Sequence, residues 1–405
     1  MNAHKQIEKG NKSAFAFIFA VVFLDMLGVN LIVPVQAYLI RQYDTNALTV
    51  GLLTVIYSAA QFVAAPVLGM ISDRVGRRPV LLICLFGSAI GYLIFGIGGA
   101  LWILFLSRLI DGITGGNLSV ATAYIADVTP PGKRAQNFAM LGAAFGLGFL
   151  LGPAIGGVLG NINLALPAFV ACGLSLLAML VGFFVLPESL TMPTRAANGR
   201  EDANPITAIL TLFRLPGLGL LLATMFIFLF AFGGMTSNIS VFLIEKFGVQ
   251  PFQFAIVFVL AGIVNIIVQG GLIRILVPRF GEKQLATAGL AILAGSWLGM
   301  VNVPVMWMVY LLAAVSAIGS ALAMPTLNAL ASNRVAQNQQ GKLAGVSASL
   351  NSLANVIGPV LAGVAYDLVA PTAPYWASAI FLFLAFILII RVDGTKRASV
   401  LEMPD

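Results

Sequence analysis

The chain is 405 residues long, 60% hydrophobic and only 9% charged, with a formal net charge of +7. A soluble protein of that length cannot cover its surface with so few charges, which leaves a polytopic membrane protein. Two cysteines and one histidine, His4, exclude a disulfide framework, a histidine metal centre and a histidine-based catalytic triad, and no cofactor is expected.

The amino end, MNAHKQIEKGNKS, has the outline of a signal peptide, but the apolar run behind it continues to about Tyr38 and contains Asp25. It is read as a retained first helix. Twelve apolar segments are counted, at about 14–38, 48–71, 79–98, 101–125, 136–160, 164–187, 216–243, 252–276, 284–303, 305–330, 343–369 and 375–391. Most approach or exceed the ~20 residues a helix needs to cross a bilayer. Cys84 and Cys172 sit inside them as small apolar filler. With the amino end inside, nineteen of the 22 Lys and Arg residues fall in tails and inner loops. Arg41 and Lys246 lie outside, and Arg108 within the membrane. The positive-inside rule therefore puts both termini in the cytoplasm, and the scatter over short loops argues against nucleic acid as a partner.

The polar stretch from Glu188 divides the chain. The expected organisation is a cytoplasmic tail over 1–13, a six-helix bundle over 14–187, a cytoplasmic linker over 188–215 with a short interfacial helix near 206–213, a second six-helix bundle over 216–391 and a tail over 392–405. The halves echo one another. Gly152-Pro153 and Gly358-Pro359 are 206 residues apart, and Gly69 and Gly271 are 202 apart. Parallel repeats of this kind place a substrate site between the halves near the midplane.

Segment 4, LWILFLSRLIDGITGGNLSVATAYIAD, carries Arg108 and Asp111. A charge near the middle of a membrane helix costs roughly 2.5–3.5 kcal/mol, so such residues face the protein interior or a water-filled cavity. Three apart, the two share one helix face, and GITGGN supplies small residues for close helix approach. Asp25 in segment 1 has no positive neighbour on its own segment and needs a proton or a partner from another helix. It is either a proton-carrying or cation-recognising carboxylate or a fixed ion pair with Arg108. Arg108 pairs with Asp25 or Asp111, and Asp111 is a second protonation site or the neutraliser of Arg108. A dry site disfavours a charged carboxylate and a guanidinium favours it, so a change in their separation would switch proton affinity.

The loop after segment 2 reads GMISDRVGRR, with Gly69, Asp73, Arg74, Gly76, Arg77 and Arg78. A solvated charge run is the bland reading; against it, Gly76 permits a tight turn and Asp73 can meet a helix amino terminus, as a conformational latch. Segment 5 holds Gly142, Gly146, Gly148, Gly152, Pro153, Gly156 and Gly157. Pro153 permits a kink and the glycines permit contact with a neighbour such as segment 8. Asn30, Asn238, Asn265, Gln269, Asn351 and Asn355 are the polar candidates for a substrate cavity, or else staple helices. Phe226, Phe228, Phe230 and Phe232 spread around a helix, and Trp297 and Trp307 read as interfacial belt residues.

These motifs resemble those of the major facilitator superfamily: the loop at Gly69–Arg78, Arg108 with Gly112, and the helix 5 glycine series that marks antiporters. With LDMLGVNLIVPV in segment 1, the chain is similar to the twelve-helix drug:proton antiporter branch, and SRLIDGITGGNLSVATAYIADVTPPGKRA is similar to tetracycline efflux proteins. The resemblance implies that Asp25 couples protons, that the loop's Asp73 braces a helix of the other half, that Asp127 pairs with an arginine such as Arg77, and that the glycine series seals against proton leak. Segments 7 to 10 carry no embedded Asp, Glu or His, so tetracycline itself does not carry over.

The expected fold is an all-α membrane protein with twelve transmembrane helices in two pseudo-symmetric six-helix bundles. The expected activity is proton-coupled antiport in the cytoplasmic (inner) membrane. Lipophilic small molecules or drugs would be exported by alternating access. Its partners are a small-molecule substrate, protons and the lipid bilayer, and it is expected to act as a monomer. An importer or facilitator of a polar solute is the alternative on the same fold, and a non-transporting sensor the alternative of another class. An enzyme is not expected, since no nucleophile, base or metal cluster appears.

Overall fold

The computed structural model describes residues 2–129, 134–189, 217–335 and 339–392. The interfacial helix expected near 206–213 lies outside them, as does the tail from 393. Every regular element among these residues is a helix: α1 Asn2–Ile40, α2 Ala47–Val75, α3 Arg77–Ile97, α4 Leu101–Thr114, α5 Asn117–Val128, α6 Arg134–Ile162, α7 Leu166–Val185, α8 Leu218–Phe247, α9 Pro251–Ile267, α10 Ile273–Val301, α11 Met306–Ser332, α12 Gln340–Leu368 and α13 Ala373–Arg391. Apolar chain in lipid must satisfy its backbone internally, which is why these runs are helical despite Pro34, Pro66, Pro153, Pro325 and Pro359 inside them. α1 reaches back through the residues read as a tail.

Ten stretches among the described residues are long and apolar enough to span a membrane. Two places depart from simple spans. α4 and α5 are separate pieces, parted at Gly115 and Gly116. Pro251–Val301 runs for 51 residues, which at about 1.5 Å per residue is more than twice a ~30 Å hydrocarbon layer. Within it, Val268–Leu272 forms a wider π-type turn and Gly281 takes φ 77°, ψ 158°.

The contacts fall into two compact units. One holds α1, α3 to α7, α2 from Ile56 and the start of α9 to Val259. In it α1 packs on α6 and α7, and α3 on α4 and α7. The other holds Asn46–Val55, α8 and the chain from Leu260. There α8 packs on α12 and α13, and α10 on α11 and α13.

The α1–α6 contact is made through glycine. A Cβ at Gly148 would stand 2.6 Å from the Met26 Cβ, one at Gly152 would strike Asn30, and one at Gly156 would strike the Leu31 carbonyl. Gly157 instead meets Pro251, Phe252 and Ala255 at the start of α9. Among the described residues nothing lies within 4 Å of such an atom at Gly146. The surroundings of Gly142 lie outside the described side chains.

Each unit also holds a helix start with a side chain from the other repeat. At the end of α6, Asn161 Oδ1 accepts from the Phe252 backbone N–H at 3.2 Å. At the end of α12, Asp367 accepts from the backbone N–H groups of Ala47 at 2.9 Å and Leu48 at 2.8 Å. Asn161 and Asp367 are 206 residues apart, the offset of the Gly-Pro pairs.

Trp297 corrects an expectation. It is fully buried, not at an interface, with its ring beside Phe232 and its indole N–H donated to Ser316. Trp307 is exposed. The phenylalanines of α8 pair along the helix, Phe226 with Phe230 and Phe228 with Phe232.

Gly156→Ala should destabilise the folded chain by about 1–3 kcal/mol, the cost of overpacking a close contact. Gly146→Ala, in the same motif but facing open space, should leave the Tm of the detergent-purified protein unchanged or slightly higher, since Ala favours a helix over Gly. Equal Tm values for the two variants would contradict the α1–α6 packing.

Candidate functional site

Arg108 and Asp111 lie one turn apart on α4 and are 4% and 1% exposed. Arg108 Nη1 stands 3.0 Å from Asp111 Oδ2, so the arginine is paired on its own helix rather than with Asp25. The guanidinium lies over two α3 rings, 4.5 Å from the Phe95 centroid and 5.7 Å from that of Tyr92. Aromatic faces attract a cation and cost less to bury than alkyl surface beside it. Arg108 Nε and Nη2 are buried without a hydrogen-bond partner among the described residues. Gly91 of α3 brings the helices together here, since a Cβ on it would stand 3.0 Å from the Asp111 Cβ. The Ser88 and Tyr92 hydroxyls border the Asp111 carboxylate.

Asp25 is 5% exposed. It accepts a hydrogen bond at 3.0 Å from Nδ2 of Asn117, the first residue of α5. Asp111 is close enough for the two carboxylates to repel. The site therefore holds Asp25 and Asp111 against Arg108. If both acids ionise, one negative charge is left over in a buried place, and a proton or a cation removes it. Asn117 stands in the glycine-rich stretch of segment 4 and is not among the site residues expected from the sequence. A polar amide directly after two glycines inside an apolar span is the signal that could have found it.

The loop motif forms a second cluster. Arg77 is buried, paired to Asp73 at 2.5 Å and to Asp127 at 3.2 Å, and donates to Ser72 Oγ at 2.6 Å. Gly76 takes φ 121°, a turn that suits glycine. Glu188, expected only as the start of the linker, accepts from the backbone N–H groups of Arg77 at 2.9 Å and Arg78 at 3.3 Å. A carboxylate at the amino end of α3 is well placed against the helix dipole. Arg78 donates to the Phe183 carbonyl and lies over its ring, and Arg74 is exposed. A Cβ on Gly69 would stand 4.0 Å from the Ser119 hydroxyl, and the Gly69 carbonyl accepts from Ser72 Oγ at 2.7 Å.

The amide candidates are dispersed. Asn30 and Asn265 bond within their own helices, to Met26 and Ala261. Gln269 donates to Asn265 at 3.0 Å beside the π-type turn, and Asn355 to Asn351 at 3.3 Å. Asn238 is fully buried on α8 with neither side-chain atom hydrogen-bonded among the described residues. Both cysteines are free and buried.

The sequence profile of the Major Facilitator Superfamily matches residues 18–304 and 272–404. The chain is 33% identical over 403 residues to the class C tetracycline resistance protein of Escherichia coli, covering 96% of this chain and 98% of that one. It is 29% identical over 389 residues to Multidrug resistance protein 2 of Bacillus subtilis (strain 168), covering 95% of this chain and 94% of that one. The crystal structure of the human organic anion transporter MFSD10 (TETRAN) superposes with a TM-score of 0.69 at 26% identity, covering 94% of this chain and 99% of that one.

Removing Arg108 would leave two buried carboxylates without a cation. Breaking a buried pair at one partner costs about 3–5 kcal/mol, so Arg108→Ala should yield little folded protein. Arg108→Ala with Asp111→Ala should recover part of it. Size-exclusion profiles and Tm of the two variants decide the matter; a double variant no better than the single one would contradict the pairing.

Proposed function

Because the chain belongs to the major facilitator superfamily, we propose that it is a proton-driven exporter of lipophilic small molecules in the cytoplasmic membrane, with both termini inside. Counting α4 with α5 as one crossing and the 51-residue run as two raises the ten spans to twelve. The observation that carries the reading is the buried set of Asp25, Arg108 and Asp111: two carboxylates against one guanidinium, which is paired with Asp111. Titratable groups inside a membrane span mark ion and substrate pathways. Protons arriving from outside would neutralise Asp25, with Asp111 held as the partner of Arg108, and the repeats would alternate about a central site. Asp73, Arg77, Asp127 and Glu188 would tie α2, α3 and α5 together as the latch. The names of the bacterial relatives, tetracycline and multidrug resistance proteins, support export.

Asp25→Asn keeps the shape of the protonated side chain and cannot release the proton. The variant should insert and fold, lose pH-gradient-driven accumulation in everted vesicles, and retain downhill exchange. Full gradient-driven accumulation would remove Asp25 from the coupling site.

A second reading concerns substrate charge. The surplus of carboxylates favours neutral or cationic lipophilic substrates, whereas the two unpartnered nitrogens of Arg108 and the relative named as an organic anion transporter favour an anion. Proteoliposomes offered tetraphenylphosphonium and a dicarboxylate dye in parallel separate them. Uptake of the cation is expected; transport of the dianion with the cation ignored would reverse the assignment.

A further inference from the structure

Asn117 opens α5 directly after Gly115 and Gly116. Those glycines take ψ of −6° and 0°, well off the helical value of about −42°, and α4 ends there. The break is pinned from α2. Gln61 Nε2 donates to the Gly115 carbonyl at 2.9 Å, and Ser119 Oγ donates to the Ala65 carbonyl at 2.9 Å. A Cβ on Gly116 would stand 3.0 Å from the Ala65 Cα, so the backbones are in contact. α2 thereby fixes where α5 starts, and the first residue of α5 points its amide at Asp25.

We propose that Asn117 is the positioning residue of the coupling site: its amide holds Asp25 Oδ1, so that the proton is taken up and released at Oδ2, and α2 sets that hold through Gln61 and Ser119. The inference rests on Asp25 being the proton carrier. The titratable groups that interact with Asp25 are Asp111 from α4, Tyr57 from α2, and Cys84 and Tyr92 from α3, and Arg108 is paired to Asp111 beside them. The described side chains of α6, from Ala144 to Ile162, include none, and α7 has only Cys172. Asp111 acts on Asp25 by charge, whereas Asn117 acts by a directed bond that a shift of α5 can make or break. An N–H donor favours the charged form of a carboxylate, so motion of α2 becomes a change in how readily Asp25 gives up its proton.

The test is an infrared pH titration of the full chain in nanodiscs, which needs no substrate. The carboxyl C=O band that Asp25→Asn removes reports Asp25 itself. In Asn117→Ala that band should titrate about one pH unit higher, as expected for the loss of one hydrogen bond to a charged group. Gln61→Leu, which leaves the amide in place and frees the break, should move it in the same direction by less, and it keeps the test open if Asn117→Ala does not fold. An unmoved midpoint in folded Asn117→Ala overturns the positioning role while leaving Asp25 as the carrier. An unmoved midpoint in Gln61→Leu overturns the control by α2. If Asp25→Asn removes no titrating band, the coupling reading fails and this proposal fails with it.

Discussion

A guanidinium keeps its proton in any protein environment, so an arginine buried within apolar helices must be compensated where it stands. Arg108 is compensated three ways: by Asp111 one turn along α4, by the faces of Phe95 and Tyr92 on α3, and by the close approach that Gly91 allows. The rest of the first unit follows from that. Once Asp111 is committed to Arg108, Asp25 has no cation to itself, and the group that meets it is the neutral amide of Asn117. A carboxylate held by an amide has no fixed counter-charge, which is what the proposed coupling role asks of it, whereas one locked to an arginine would have one.

Bringing polar groups from five helices this close requires backbones without side chains between them. Gly112 is an example: a Cβ on it would stand 2.5 Å from the Tyr57 carbonyl oxygen of α2. Gly116 plays the same part four residues on. These contacts give little hydrophobic stabilisation, because lipid tails are as apolar as the helices they would displace. What they supply is van der Waals packing and short paths for hydrogen bonds such as Gln61 to Gly115. The helix break at Gly115 is tolerable for the same reason, since its free carbonyl is met inside the protein.

Much of this was legible in the residues. Apolar length located the helices, and the spacing of Arg108 and Asp111 placed them on one face. The pairing of Asp127 with Arg77 came from resemblance to a family motif. Partner choice was not legible: periodicity says which face a charge occupies and not what stands opposite, so Arg108 could be assigned to Asp25 as readily as to Asp111. Glu188 at the start of α3 was hidden because a residue read as linker meets a helix more than a hundred positions earlier in the chain. Trp297 was misplaced because a tryptophan near a segment end fits the interfacial pattern, and only its bond to Ser316 on the adjacent helix shows why burial is tolerated. The helices depart from the twelve apolar segments at two places: Pro251–Val301 runs on through the polar PRFGEK stretch, and glycines split α4 from α5.

The internal repeat shows how duplicated geometry can carry different chemistry. Asn161 and Asp367 occupy matched positions and do the same structural work, each accepting from the first backbone N–H groups of a helix. One is neutral and the other acidic. A carboxylate at a helix amino terminus gains from the dipole as well as from the hydrogen bonds, typically 0.3–1 kcal/mol at an exposed site, while an amide gains only the bonds. Gly157 and Gly363, offset by the same 206 residues, bring the backbones together beneath each cap. The two caps are therefore equivalent in shape and unequal in strength, with the Asp367 cap the stronger. The same division runs through the interior. The first half keeps Asp25, Arg108 and Asp111 within its spans, and the spans of the second half carry amides and hydroxyls such as Asn238, Thr326 and Ser378. The two copies share the glycines that set helix spacing, while among the described residues the buried charged side chains, Asp25, Arg77, Arg108 and Asp111, all lie in the first.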